Sequence, residues 1–85
     1  MNNLTQIQEH IFLKTGLKVS IANIKTGSMK GYVRLRPKRV NKEYVMFPFE
    51  FIQELKPMLK DLSYGDFPVF CSTSEIYIPV KNLIV

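Results

Sequence analysis

At Gly16 the spacing of apolar residues changes from that of a helix to that of a strand. Apolar residues from Leu4 to Phe12 recur at positions i, i+3, i+7 and i+8, which places them on one face of an α-helix. Asn3 belongs to the residue types that cap helix N-termini, and a glycine often follows the last helical residue. From Leu17 to Ile21 apolar and polar residues alternate, as in a half-buried strand. The sequence therefore predicts a helix that ends at Gly16 and leads directly into a strand.

The rest of the chain predicts four more strands and a second helix. Apolar residues favour strands at 32–37 and 43–47, and residues 48–62 carry an apolar stripe at helical spacing. Two short strands on either side of residues 73–74 predict a closing hairpin. Pro57 lies inside the second helix, where proline removes a backbone hydrogen bond, so the helix either kinks or breaks there. The predicted order is α-β-β-β-α-β-β.

Neighbouring strands without a crossover helix between them favour antiparallel pairing. We therefore expect an α+β fold, with a small antiparallel sheet and two helices packed on one face. The chain of 85 residues is short enough for residues 1–85 to form a single domain with one core. Such a chain has no deep interior, so we expect no cofactor.

Charge is unevenly distributed along the chain. The formal net charge is +5, but residues 10–42 contain nine Lys or Arg and no Asp or Glu. Residues 43–85 contain three Lys and six acids. The first two predicted strands and their turns are therefore strongly basic, and a basic surface suits a polyanionic partner.

Alternation along the strand at 32–37 sends Val33 and Leu35 towards the core and their neighbours to the opposite face. On that face a tyrosine lies among cations, which offers phosphate contacts and a stacking surface together. The sequence thus predicts nucleic-acid binding, to DNA or RNA, with weak sequence preference. The predicted binding residues are Lys18, Lys30, Tyr32, Arg34, Arg36, Lys38 and Arg39.

Other interpretations of the same stretch remain open. Cationic side chains on an exposed strand also discourage aggregation and need no ligand. A protein partner with an acidic surface would also fit. The chain is alternatively a protein-interaction module, of the small phage or mobile-element type. Such a module would use sheet edges or the apolar C-terminal residues 82–85, with homodimer formation as one outcome.

No catalytic or metal-binding pattern is recognisable, and we expect no enzyme activity. His10 is the only histidine and Cys71 the only cysteine, so no intramolecular disulfide forms. Residues 26–31, TGSMKG, lack the spacing of a phosphate-binding loop. The N-terminus does not resemble a signal peptide, and no apolar run approaches the roughly 18 residues that span a bilayer. These features predict a cytoplasmic protein without membrane contact.

The order α-β-β-β-α over the first 62 residues resembles that of double-stranded RNA-binding domains and of HicA-type toxin ribonucleases. The resemblance is confined to the order of elements. The second helix opens with the acidic PFEFIQEL instead of a lysine cluster, and the basic hairpin has no histidine. No family is assigned from it.

Overall fold

The computed structural model describes residues 3–63 and 65–82, which form two α-helices and a four-stranded antiparallel sheet. In chain order the elements are α1 (Leu4–Thr15), β1 (Val19–Asn23), β2 (Tyr32–Pro37), α2 (Phe49–Leu59), β3 (Phe70–Cys71) and β4 (Ile76–Pro79), with 3-10 turns at Lys60–Leu62 and Val80–Asn82. The strands lie in the order β1-β2-β4-β3. The predicted α+β class is confirmed, and so are the antiparallel sheet and both helices.

The ends of α1 follow the predicted capping chemistry. The side-chain oxygen of Asn3 accepts a hydrogen bond from the N–H of Thr5 at 2.8 Å. Gly16 has a φ of 73°, in the left-handed region that favours glycine, and its N–H donates to the carbonyl of Phe12 at 2.8 Å. The helix therefore stops where the apolar spacing changes, and β1 begins three residues after Gly16.

The core lies between the helices and one face of the sheet. Val33 and Leu35 of β2 pair in register with Ile78 and Ile76 of β4, and all four side chains are buried. Both helices cover this face, and the fully buried helix residues in the same cluster are Ile7, Ile11, Leu55 and Leu59. The pairing of β2 with β4 thus joins the N-terminal hairpin to the C-terminal hairpin.

We call the opposite side of the sheet the outer face. The alternation that turns Val33 and Leu35 into the core turns their neighbours on β2 outward. The strand register assigns to the outer face Ser20, Ala22, Tyr32, Arg34, Arg36, Phe70, Tyr77 and Pro79.

Residues 43–47, predicted as a short strand, contribute a single β-bridge and lie outside the sheet. Glu43 exchanges two backbone hydrogen bonds with Val40, at 3.0 and 3.1 Å. Further along, Phe47 is 2% exposed, and its N–H donates to the carbonyl of Thr73 at 2.8 Å. The apolar residues that predict a strand here reflect the burial of one side chain and not a ladder of paired residues.

Pro57 does not break α2, which continues to Leu59 before it tightens into the 3-10 turn. A proline has no N–H to donate to the carbonyl four residues earlier, which belongs to Gln53. Both Pro57 and Gln53 are exposed. Water can therefore replace the missing donor, and the helix tolerates the proline.

Candidate nucleic-acid interface

Arg34 and Arg36 lie near the middle of the outer face, as predicted. Arg34 is in register with Ala22 on one side and Tyr77 on the other, and Arg36 is in register with Ser20. The serine and alanine side chains are short, so they can cover little of the two arginine side chains on the β1 side. The Arg36 side chain is 51% exposed, and Arg34 is half-buried.

Arg36 forms an ion pair on this face. Its Nε donates to a carboxylate oxygen of Glu75 at 2.8 Å. This hydrogen bond lowers the pKa of Glu75 below its ordinary value and raises the pKa of Arg36. One acid therefore offsets one cation of the outer face, and an anionic ligand would have to share Arg36 with Glu75.

Two further predicted cations lie just beyond the end of β2. Lys38 and Arg39 line a groove that also contains Arg36 and Tyr44. The guanidinium carbon of Arg39 is 4.1 Å from the centre of the Tyr44 ring, a cation–π contact, and Arg39 also donates a hydrogen bond to the Tyr44 hydroxyl. The structure thus brings three of the predicted cations together at this end of the sheet.

Lys30 lies at the other end of β2, in the turn that follows β1. Gly31, with a φ of 90°, closes this turn by donating its N–H to Ile24 at 3.1 Å. Lys30 lines a pocket together with Phe67, Pro79 and Lys81. Predicted cations therefore lie at both ends of β2, with the two arginines of the strand between them.

Lys18, just before β1, is the remaining predicted cation. It lines a groove between α1 and β1, together with Phe12 and Leu13. Its carbonyl accepts the N–H of Lys38 at 2.8 Å, and Lys38 lines this groove as well. Lys38 thus lines both grooves, and Lys18 lies beside it at the end of the β1–β2 pair.

The prediction that Tyr32 is exposed and stacks on a ligand is wrong. Tyr32 points to the outer face but is only 3% exposed. Its hydroxyl donates to the carbonyl of Pro68 at 2.9 Å, and burial raises the pKa of the Tyr32 phenol. The chain that follows α2 and leads into β3 returns across this face and covers the tyrosine.

Tyr32 forms the base of an aromatic cluster that the sequence did not indicate. The ring centres of Phe67, Phe70 and Tyr77 lie 6.1, 5.9 and 6.3 Å from that of Tyr32. Phe67 and Phe70 are each 46% exposed. Alternation with Ile76 and Ile78 would place Tyr77 on the outer face, but only the pairing of β2 with β4 brings it beside Tyr32.

His10 and Cys71, the two residues considered as candidates for catalysis, both pack against other parts of the fold. The ring of His10 lies 5.9 Å from that of Phe51, where it packs against α2. Burial raises the pKa of the Cys71 thiol to about 11, which keeps it protonated at neutral pH and unsuited to act as a nucleophile. Within residues 3–63 and 65–82, no three His, Cys, Asp or Glu side chains are grouped so that they could hold a metal ion.

In the part of the chain that the structure describes, no helix has the length and apolar character needed to cross a membrane. Comparisons with protein-family models, with curated protein sequences and with solved structures found no match. The function therefore has to be inferred from the residues and their arrangement alone.

Proposed function

We propose that the protein binds nucleic acid, DNA or RNA, through its outer face. The observation that carries the proposal is the register of β2, which projects Arg34 and Arg36 from the side of the sheet that the helices leave uncovered. Lys30 and Lys38 extend this basic surface at its two ends. Guanidinium groups bind phosphate oxygens through paired hydrogen bonds, so this surface suits the backbone of a nucleic acid.

Phosphate contacts fix the position of a protein on its ligand without reading the bases. Binding through these cations should therefore show weak sequence preference and a steep dependence on salt, since each neutralised phosphate releases counterions. A protein partner with an acidic surface would use the same cations, but it lacks the regular spacing of phosphates. The comparison of oligonucleotides with an acidic peptide of equal charge separates these two classes of ligand.

The test is a double variant, Arg34→Gln with Arg36→Gln, measured by fluorescence anisotropy on labelled oligonucleotides at several salt concentrations. Glutamine is preferable to glutamate, because an acid at position 36 would face Glu75. The matched control, Lys56→Gln with Lys60→Gln, removes two cations at and just beyond the C-terminal end of α2. We expect the outer-face variant to reduce the slope of log K against log salt by about 1.4 on single strands, or about 1.8 on duplex. Equal losses in both variants would show that net charge alone attracts the ligand, which would contradict the proposal.

The second candidate function is protein–protein interaction at the free edge of β1. Lys38 donates to the carbonyl of Lys18, and Ile24 donates to that of Tyr32, so these residues form hydrogen-bonded rungs of the β1–β2 ladder. Backbone groups of an antiparallel strand alternate in direction, so those of Val19, Ile21 and Asn23 point away from β2.

This edge has few of the features that usually protect an exposed strand. The segment VSIAN contains no charge and no proline. Ile21 is 37% exposed, and Leu13 of α1, which lines a groove with Val19 of β1, is 81% exposed. A strand of a partner, or β1 of a second copy, would extend the sheet and cover these side chains. The apolar C-terminal residues 82–85 were also considered for this role. Of these, residues 83–85 lie outside the described part of the chain.

Size-exclusion chromatography with light scattering tests self-association directly. A homodimer would have twice the 9.9 kDa mass of the chain, and Ile21→Lys should convert it to monomer by placing a charge at the edge. A dimer that Ile21→Lys leaves intact would rule out β1 pairing as its cause.

A further inference from the structure

We infer that the outer face takes single-stranded nucleic acid, with bases stacked on Phe70 and Phe67. This inference rests on the proposed function and specifies its ligand. Tyr32, the stacking residue predicted from sequence, is covered in the structure. Phe67 and Phe70, which cover it, present their own aromatic rings to solvent. The outer face therefore has a stacking surface that is made by these two side chains instead of Tyr32.

The exposed rings of Phe67 and Phe70 are held in place by contacts with the buried ring of Tyr32 and by the hydrogen bonds of the chain that carries them. Phe67 and Phe70 both contact the ring of Tyr32, at centre-to-centre distances of 6.1 and 5.9 Å. Phe70 belongs to β3 and is in register with Tyr77 of β4. The hydrogen bond from Tyr32 to Pro68, at 2.9 Å, fixes the chain between the two phenylalanines. A fixed ring loses little conformational entropy when a base stacks on it.

One cation lies beside Phe67, and a second is separated from Phe70 by one strand. Lys30 shares a pocket with Phe67, and Arg34 is in register with Tyr77, which is in turn in register with Phe70. A strand laid across the face could therefore place a base on a ring while its phosphates contact a lysine or an arginine. This combination of an aromatic platform with a basic surface is the usual way in which proteins bind single strands.

The same arrangement discriminates against duplex. In a double helix the base faces stack on one another, and only their edges are accessible in the grooves. A duplex would contact the cations but leave Phe67 and Phe70 without a base to stack on. Stacking on an aromatic side chain strengthens single-strand binding by about 5- to 150-fold per base.

The experiment compares labelled 12-nucleotide single strands with a duplex hairpin of equal charge, at one salt concentration. We expect the single strand to bind at least about ten-fold more tightly. Phe67→Leu and Phe70→Leu should each weaken single-strand binding by about 5-fold or more without changing its salt dependence. Phe70→Tyr keeps the ring and should retain affinity. The matched control is Phe49→Leu, since Phe49 is 63% exposed at the start of α2, on the helix side.

The outcomes separate this inference from the proposed function. If duplex binds as well as single strand and neither leucine variant has an effect, while Arg34→Gln with Arg36→Gln weakens binding, stacking is overturned and the basic interface stands. If no oligonucleotide binds, both are overturned. If an acidic peptide binds and oligonucleotides do not, the outer face recognises protein and the inference also fails. Thermal unfolding of each variant checks that a loss of binding is not a loss of folding.

Discussion

Replacing Tyr32 distinguishes the buried position found here from the exposed one that the strand pattern predicts. The ring is 3% exposed, contacts three other aromatic rings and donates one hydrogen bond to Pro68. A buried aromatic side chain typically stabilises a protein by about 3–5 kcal/mol relative to alanine. Tyr32→Ala should therefore lower the free energy of unfolding by about 3–4 kcal/mol, a large share of the roughly 5–15 kcal/mol of a typical domain.

The hydroxyl contribution can be measured separately. Tyr32→Phe keeps the ring and removes only the donor to Pro68, so it should cost about 1 kcal/mol. For a domain of this size that corresponds to a fall of about 4–8 °C in Tm. Urea unfolding followed by circular dichroism gives both free energies, and an unchanged m-value would show that the same surface unfolds.

Tyr44→Ala is the matched control, because Tyr44 is 83% exposed and contacts Arg39 at the surface. We expect this variant to unfold within about 0.5 kcal/mol of the original chain. If Tyr32→Ala lowers the free energy of unfolding as little as Tyr44→Ala does, Tyr32 is not buried under Phe67 and Phe70. The aromatic cluster would then not exist.

Two further predictions concern single residues. Asn41 and Lys42 have φ angles of 52° and 67°, in the left-handed region of the backbone. Because glycine adopts this conformation without strain, Lys42→Gly should raise the free energy of unfolding by about 1 kcal/mol. Lower stability of this variant in urea would contradict the turn geometry. Burial raises the pKa of the Cys71 thiol from its ordinary value of 9.0 to about 11, so alkylation of the folded protein should be half-maximal near pH 11, and near pH 9 in denaturant. Since the folded pKa is the higher one, the protonated thiol favours folding below pH 9, and this contribution is lost as the pH rises towards 11. An equal midpoint in both states would show that the thiol is not buried.

The local elements of the fold were predictable because short-range chemistry determines them. Helix α1 ends at Gly16 because glycine tolerates positive φ. The outward direction of Arg34 and Arg36 follows from strand alternation alone. Each of these features depends on residues that are close together in the chain.

Features that depend on distant residues were not predictable from the pattern. Alternation correctly placed Tyr32 on the outer face, but it carries no information on what covers that face. The covering residues, Phe67 and Phe70, lie more than thirty positions further along, and they reach Tyr32 because β4 pairs with β2. The burial of Phe47 outside any strand has the same origin, since its backbone partner is Thr73 in the C-terminal hairpin.

The central claim, that the outer face binds the phosphates of a nucleic acid, is tested most directly by the affinity of the unmodified protein for a single-stranded oligonucleotide between 50 and 200 mM salt. With Lys30, Arg34, Arg36 and Lys38 in contact with phosphates, log K should fall against log salt with a slope of about −3, so that affinity drops about fifty-fold over this range. An affinity that does not change with salt, or the absence of any binding at 50 mM salt, would contradict the claim.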